Sequence, residues 1–198
     1  MKGPPATLVI VAGGKASRLG GVAKGLLRVG GRTCLERLVG LGALFEEMLL
    51  VGAPVPHGYS NLRTVADAVV DRGAPGGVYS GLAAARSPWV VAVGWDMPFV
   101  TAPVVERLLA ERDPALDAVC FEVSGRREPL LAAYRAGAAS IWRSALVEAP
   151  SFLEVHSLLR IRVLPEARLR EVDPEARAAV SLNAPDDLVR WAVEMPRG

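Results

Sequence analysis

The sequence predicts an α/β fold on a mostly parallel central sheet, and three observations carry that expectation. Short, continuously apolar runs recur along the chain, as in strands covered on both faces. Helical patterns with recognisable caps lie between these runs. Strand and helix signals alternate from the start of the chain, the pattern of β-α-β units.

Residues 7–12 (TLVIVA) read as a buried strand, and 47–52 (EMLLVG) and 89–94 (WVVAVG) read the same way. Further strands are expected at 62–66, 118–123 and 130–134. Thr33 to Glu36 is a capping-box pattern, followed by an apolar face of Leu35, Leu38, Val39 and Leu41. A second helix is expected over 78–86. A third covers 101–111, with Thr101 as N-cap and Pro103 in the first turn. Ser151 and Glu154 form another capping box, and Asp186 and Asp187 sit at the positive end of a last helix. No repeat or linker interrupts the 198 residues, so 1–198 reads as one domain. The pattern becomes less regular after about residue 115.

Composition narrows the function. Half the residues are apolar and the net charge is +2, which excludes a disordered chain and a nucleic-acid binder driven by bulk charge. Cys34 and Cys120 are far apart, with no CxxC pair, and only His57 and His156 could supply imidazole, so neither a disulfide framework nor a structural zinc site is expected. No run approaches the roughly 20 apolar residues of a membrane span. A soluble, cytoplasmic protein is expected.

The most informative segment follows the first strand. Gly13, Gly14, Gly20 and Gly21 are interleaved with Lys15, Arg18 and Lys24. Ligands in open α/β sheets bind at the carboxyl ends of strands. Glycines there let backbone N–H groups approach phosphate oxygens, and the cations neutralise them. A nucleoside triphosphate suits such a loop, although a flexible surface loop has the same composition. No Gly-Lys-Ser/Thr and no GxGxxG occurs, so neither the P-loop nor the dinucleotide fingerprint applies. The strand at 89–94 leads into Trp95-Asp96-Met97-Pro98-Phe99. A carboxylate at a strand's carboxyl end can hold Mg²⁺ against phosphate oxygens. A lone Asp in such a turn is more often a cap.

The run VAGGKASRLGGVAKGLL (11–27) resembles the signature of the NTP-transferase superfamily, and its nearest branch is the molybdenum cofactor guanylyltransferases. The resemblance spans about residues 7–190. It implies a Rossmann-like three-layer α/β/α nucleotidyltransferase fold and the use of magnesium. It implies backbone contacts to the base from Val11, Ala12 and Gly13, space for the base at Gly14, and phosphate binding by Arg18 and Lys24. Asp96 resembles the family's metal aspartate, and Asp67 aligns with a nucleotide-contacting aspartate, with loop capping as its other reading. Asn183, in a segment like the family's Asn-x-Asn-Thr-Pro-Glu-Asp-Leu, is placed near the metal or acceptor, or else caps the last helix. Residues 77–81 resemble a family helix start that could face an anion, although packing also explains Gly81. Three positions depart from the pattern. Ala23 replaces an aspartate, Gly52 an asparagine that contacts the base, and Glu128 a histidine.

The implied reaction transfers GMP from GTP to molybdopterin with release of pyrophosphate. Arg18, Lys24 and Asp96 are the catalytic set, and the part beyond about residue 115 binds the acceptor. Transient contact with enzymes that make or receive the cofactor goes with this role. Two alternatives stand beside it: a cytidylyl- or sugar-phosphate nucleotidyltransferase, and a non-catalytic nucleotide-binding adaptor. His57 is expected in a loop and His156 on a helix surface, Trp89 and Trp142 in packing. Arg126 and Arg127 read as a solvated charge pair, with Arg160, Arg162, Arg168 and Arg170 equally open between that and an acceptor site.

Overall fold

The structure, a computed structural model, describes residues 5–12, 23–69, 71–148 and 151–195. Its strands, in chain order, are β1 (Ala6–Val11), β2 (Arg28–Val29), β3 (Arg32–Thr33), β4 (Glu47–Val51), β5 (Leu62–Val65), β6 (Trp89–Gly94), β7 (Ala118–Val123), β8 (Arg126–Arg135), β9 (Ile161–Pro165) and β10 (Val193–Glu194). Seven of them form the central sheet in the order β5-β4-β1-β6-β8-β7-β9, and β10-β2-β3 form a small second sheet. β5, β4, β1 and β6 are mutually parallel, β8 runs antiparallel to both neighbours, and β9 is parallel to β7.

The helices are α1 (Cys34–Val39), α2 (Gly73–Ala84), α3 (Ala102–Ala110), α4 (Ala139–Ala145), α5 (Phe152–Ser157), α6 (Glu166–Arg170) and α7 (Pro185–Arg190). All six residues of β1 are buried, as are all six of β6. Their side chains alternate between two cores, as the two-residue period of a strand requires. Leu8, Ile10, Val91 and Val93 pack with Leu35 and Leu38 of α1, Val104, Val105 and Leu108 of α3 and Leu169 of α6. Val9, Val11, Val90 and Ala92 pack with Val78 and Leu82 of α2, Trp142 of α4 and Val155 of α5. Each buried aliphatic side chain contributes about 1.5–3 kcal/mol. The sheet is therefore held from both faces, and the three-layer α/β/α expectation holds.

The caps form where the sequence places them. The Thr33 hydroxyl accepts from the Glu36 N–H, and the Glu36 carboxylate accepts from the Thr33 N–H. Ser151 and Glu154 repeat the arrangement. Thr101 is the N-cap residue of α3, although its side chain makes no capping bond.

Helix α2 begins five residues earlier than expected, and the reason is packing. Its glycines press it onto β1. An added Cβ at Gly81 would lie 2.4 Å from Val9 Cγ1, and one at Gly77 would lie 2.7 Å from Val11 Cγ1. Gly77 is the fifth residue of the helix and not its start, so no helix N-terminus faces an anion there. Gly81→Ala should gain about 1 kcal/mol in helix propensity and lose about 1–3 kcal/mol to overpacking. A net destabilisation is expected in urea unfolding, and a stabilised variant would show that α2 can back away from β1.

The far half contains elements the sequence pattern did not reveal. At the start of β7 the buried Asp117 carboxylate accepts from Arg160 Nε at 2.9 Å and Nη2 at 3.0 Å, and from Arg135 Nη2 at 2.7 Å. These hydrogen bonds hold its carboxyl well below the usual carboxylate range despite burial. They tie β7, β8 and β9 together at the end opposite the nucleotide edge described below. Arg162 pairs with Glu111 and Asp113, Arg168 with Glu111 and Glu171, and Arg170 with Glu166. No helix among the described residues is long and apolar enough to cross a membrane.

Candidate active site

β1 has β4 on one side and β6 on the other, so the chain changes direction of winding between β1 and β6. In parallel sheets that is where a crevice opens at the carboxyl ends. The residues just past those ends are, in strand order, Asp67 after β5, Gly52 after β4, Ala12 after β1 and Asp96 after β6. Three inter-strand steps make this edge about 14 Å long.

At one end of the edge three side chains converge. Lys24 opens a 3-10 turn, Lys24–Leu26. The turn is pressed onto the residue before Asp96, because a Cβ at Gly25 would lie 2.7 Å from Trp95 Cε3. Lys24 Nζ donates to Asp96 Oδ2 at 3.1 Å and to Asn183 Oδ1 at 2.5 Å. Both members of the ion pair are buried, with side chains only 10% and 12% exposed. The Asp96 carbonyl accepts from the Leu182 N–H at 2.9 Å, which anchors the C-terminal segment beside the end of β6. The other Asp96 oxygen folds back over Gly94, where an added Cβ would stand 2.7 Å from Oδ1.

Asn183 is free for this role because capping is done by its neighbour. The Asp187 carboxylate accepts from the N–H groups of Asn183 and Ala184 at 2.8 Å each, and Ala184 is the N-cap of α7. The Asn183 amide nitrogen donates to Ser181 Oγ at 2.6 Å. Asn183 therefore does not act as the helix cap.

At the other end Gly52 adopts φ +82°, a conformation that favours glycine. A Cβ there would meet the Ala12 carbonyl at 2.9 Å and Asp67 Oδ2 at 3.5 Å. The Asp67 carboxyl is pushed upward by partial desolvation alone, with no cation beside it among the described residues. Val11 and Ala12 are committed to the ladder: the Val11 carbonyl accepts from Trp95 N–H at 3.1 Å, and Ala12 N–H donates to Val51 at 2.8 Å. Gly13, Gly14 and Arg18 lie outside the described residues. Cys34, near Asp96, is buried. Burial first, and the Asp96 charge second, push its thiol up to about 12, so it is no nucleophile. No cluster of three or more His, Cys, Asp or Glu side chains that could hold a metal ion is present among the described residues.

Residues 8–159 match the sequence model of the MobA-like NTP transferase domain. The chain belongs to this family. A probable molybdenum cofactor guanylyltransferase of Chloroflexus aggregans is 35% identical, over 91% of this chain and 90% of the relative. Another, of Pelotomaculum thermopropionicum, is 30% identical over 95% and 92%. The crystal structure of molybdopterin-guanine dinucleotide biosynthesis protein A from Archaeoglobus fulgidus superposes with a TM-score of 0.78 at 25% identity, covering 93% of this chain and 95% of that one. The MobA-like chain is accordingly a nucleotidyltransferase, with the fold of those relatives.

Two further groups of this MobA-like transferase were not legible in advance. The β7–β8 register steps from Cys120↔Ala132 to Glu122↔Arg127, so residues 128–131 stand opposite Phe121 alone. In this bulge the Tyr134 hydroxyl donates to the Pro129 carbonyl at 2.8 Å. Its oxygen lies 2.8 Å from His156 Nε2. The hydroxyl proton is already used, so Nε2 carries the proton of a neutral imidazole. His156 is buried, contrary to the helix-surface expectation. Burial first and Arg127 second lower its pKa to about 4. Glu128, half-buried in the bulge, is pushed up to about 7 by burial, against the pull of Arg126.

These two shifts oppose each other in stability. The His156 contribution is complete above its unfolded value of 6.5 and is lost as pH falls toward 4. The Glu128 contribution is complete below 4.5 and is lost as pH rises toward 7. Glu128→Gln should therefore expose a stability that rises with pH between about 4.5 and 6.5, and His156→Gln one that falls, with the parent flatter than either. Urea midpoints at three pH values test this. Parallel profiles in all three proteins would refute it.

Proposed function

We propose that this MobA-like transferase moves GMP from GTP to molybdopterin and releases pyrophosphate. The observation that carries the reading is the convergence of Lys24, Asp96 and Asn183, from three separate parts of the chain, at the carboxyl end of β6. A terminal phosphate oxygen of the acceptor bonds to the α-phosphorus in line, and the α-phosphorus bond to the bridging oxygen breaks. Pyrophosphate carries that electron pair away. Such a reaction needs alignment and charge neutralisation more than a covalent intermediate.

Lys24 neutralises the charge that builds on the phosphates, and Asn183 holds the ammonium in place. Arg18 joins Lys24 on the phosphates, and the backbone of Gly13, with the space left by Gly14, belongs to the base side. Asp96 and the nucleotide's own oxygens suit a hard cation, and a single carboxylate is enough for Mg²⁺ when phosphates supply the rest. Mg²⁺ bound there supplies Lewis-acid stabilisation of the phosphoryl oxygens.

Asp67, Gly52 and Ala12 receive the base. Guanine presents two adjacent N–H donors, which one carboxylate accepts together, whereas cytosine presents only its amino group. Asp67, with no cation beside it among the described residues, over a side-chain-free Gly52 therefore favours GTP. The half beyond about residue 115 supplies the acceptor side, with Glu128 at its edge. Two buried, unpaired thiols, Cys34 and Cys120, fit a reducing cytoplasm.

The test is thermal unfolding with GTP, CTP or UTP and Mg²⁺. A ligand at a hundred times its Kd stabilises by about 2.7 kcal/mol. GTP is expected to lead, and Asp67→Asn to remove the preference. Equal stabilisation by CTP would overturn the guanine assignment. Saturable GTP binding without pyrophosphate release, when molybdopterin is present, would make the chain a binding protein.

A further inference from the structure

Beyond the segment that follows Asp96, a cavity of about 420 Å³ opens between α1 and the N-terminus of α3. Arg32, Arg37 and Arg177 line it, together with Asp173, Phe99 and Thr101. Arg32 donates to the Glu36 carbonyl at 3.3 Å and Arg37 to the Val29 carbonyl at 2.5 Å. Neither guanidinium meets a carboxylate among the described residues. The Arg37 Nε–H is buried and has no acceptor among the described residues. Arg177 pairs with Glu175 outside the cavity and lies over the Trp191 ring, 5.6 Å from its centroid. The acidic wall residue, Asp173, keeps its charge and is held in place by the Ala178 N–H, which donates to its Oδ2 at 2.7 Å.

Arg32 and Arg37 bring two guanidinium charges, without a carboxylate partner among the described residues, to one space, and an anion held there would relieve their mutual repulsion. The nine-residue helix α3 adds its positive end, which the Thr101 side chain leaves uncapped. We propose that this cavity is a second anion site, lined by none of the nucleotide-edge side chains, for a small phosphate-bearing molecule. Arginines supplied by three separate elements, β3, α1 and the turn at Arg177–Ala179, suit a tetrahedral oxyanion, which offers acceptors on every side. A planar carboxylate is satisfied by a single fork. The cavity adjoins the small cluster of Leu27, Val29, Cys34 and Leu182, on which Phe99 and Trp191 pack, and neither Lys24 nor Asp96 lines it. The inference does not depend on guanylyl transfer.

The probe is inorganic pyrophosphate without divalent metal, followed by amide NMR on the full chain. Saturable shifts are expected at Thr101, Ala102 and Val104 and at the Arg37 Nε–H, alongside any shifts near Lys24. In the Arg32→Gln/Arg177→Gln double variant the shifts at α3 should need roughly tenfold or more pyrophosphate. Those near Lys24, and turnover, should stay as in the parent. A thermal midpoint close to the parent's shows that the variant is folded, and the parent's own shift map stands if it is not. Unmoved amides at the start of α3, or undiminished binding there in the double variant, would overturn the site. Equal shifts with succinate would overturn its assignment to phosphate.

Discussion

Replacing Lys24 by alanine is expected to lower turnover with GTP by at least tenfold, and by about 10²–10³-fold if Lys24 acts as a full charge-stabilising donor. The residue has one ammonium and two partners, Asp96 at 3.1 Å and Asn183 at 2.5 Å, and the pair is shielded from water. A point charge in a water-poor site acts on developing negative charge far more strongly than in bulk water. A donor engaged mainly in the transition state lowers kcat and kcat/KM together, whereas one that only grips GTP raises KM. The first pattern is expected. The substitution also leaves the Asp96 charge buried without its cation, which costs about 3 kcal/mol in a fully buried pair. Turnover is therefore to be compared at a temperature where unfolding data show the variant folded. Lys24→Arg restores a cation and should recover that stability, but its planar fork cannot reproduce the position of an ammonium, so turnover should recover only in part. Unchanged turnover in the alanine variant would remove Lys24 from the reaction.

The legible parts of this fold are those where local chemistry and long-range packing agree. β1 and β6 are buried on both faces, so an unbroken apolar run identifies them within a residue. The capping boxes at Thr33 and Ser151 are local by construction and form as written. Helix α2 fails the same test because Gly-Ala-Pro-Gly-Gly reads as a loop. Its glycines are there to let the helix touch Val9 and Val11, a tertiary demand no local pattern shows. β9 alternates Arg162 with apolar neighbours and lies at the sheet edge, and the two-residue strands of the second sheet are too short to leave a period. Within the site, Lys24 and Asp96 were found through motifs and meet in space, although 72 residues separate them. The sequence alone leaves Asn183 between a cap and a site residue. Asp187, four positions on, meets the capping demand, so the cap reading of Asn183 falls away. The burial of His156 had no sequence signal. Its partner, the Tyr134 hydroxyl, depends on a bulge that only the β7–β8 register reveals.

Asp96→Asn is expected to have an effect as large as the loss of Lys24, about 10²–10³-fold in turnover, and with a different signature. Asparagine keeps the shape and an oxygen for the Lys24 ammonium, so the fold survives. It lacks the negative charge that a hard cation requires, so half-maximal activity should need much more Mg²⁺. Gly94 gives an independent way to reach the same carboxylate. Gly94→Ala leaves every charge in place, but its methyl group would stand 2.7 Å from Asp96 Oδ1 and 3.3 Å from Met97 Sδ, so the carboxylate must move. A displacement near 1 Å at a reacting centre can cost about 10²-fold. If Gly94 acts through Asp96, the double variant should be no slower than Asp96→Asn alone, because residues that share one role are not additive. If the losses multiply instead, Gly94 matters through the packing of Met97 and not through the position of the carboxylate. The metal dependence then separates the cases once more. Gly94→Ala should shift the Mg²⁺ requirement in the same direction as Asp96→Asn only if the displaced group is the metal ligand.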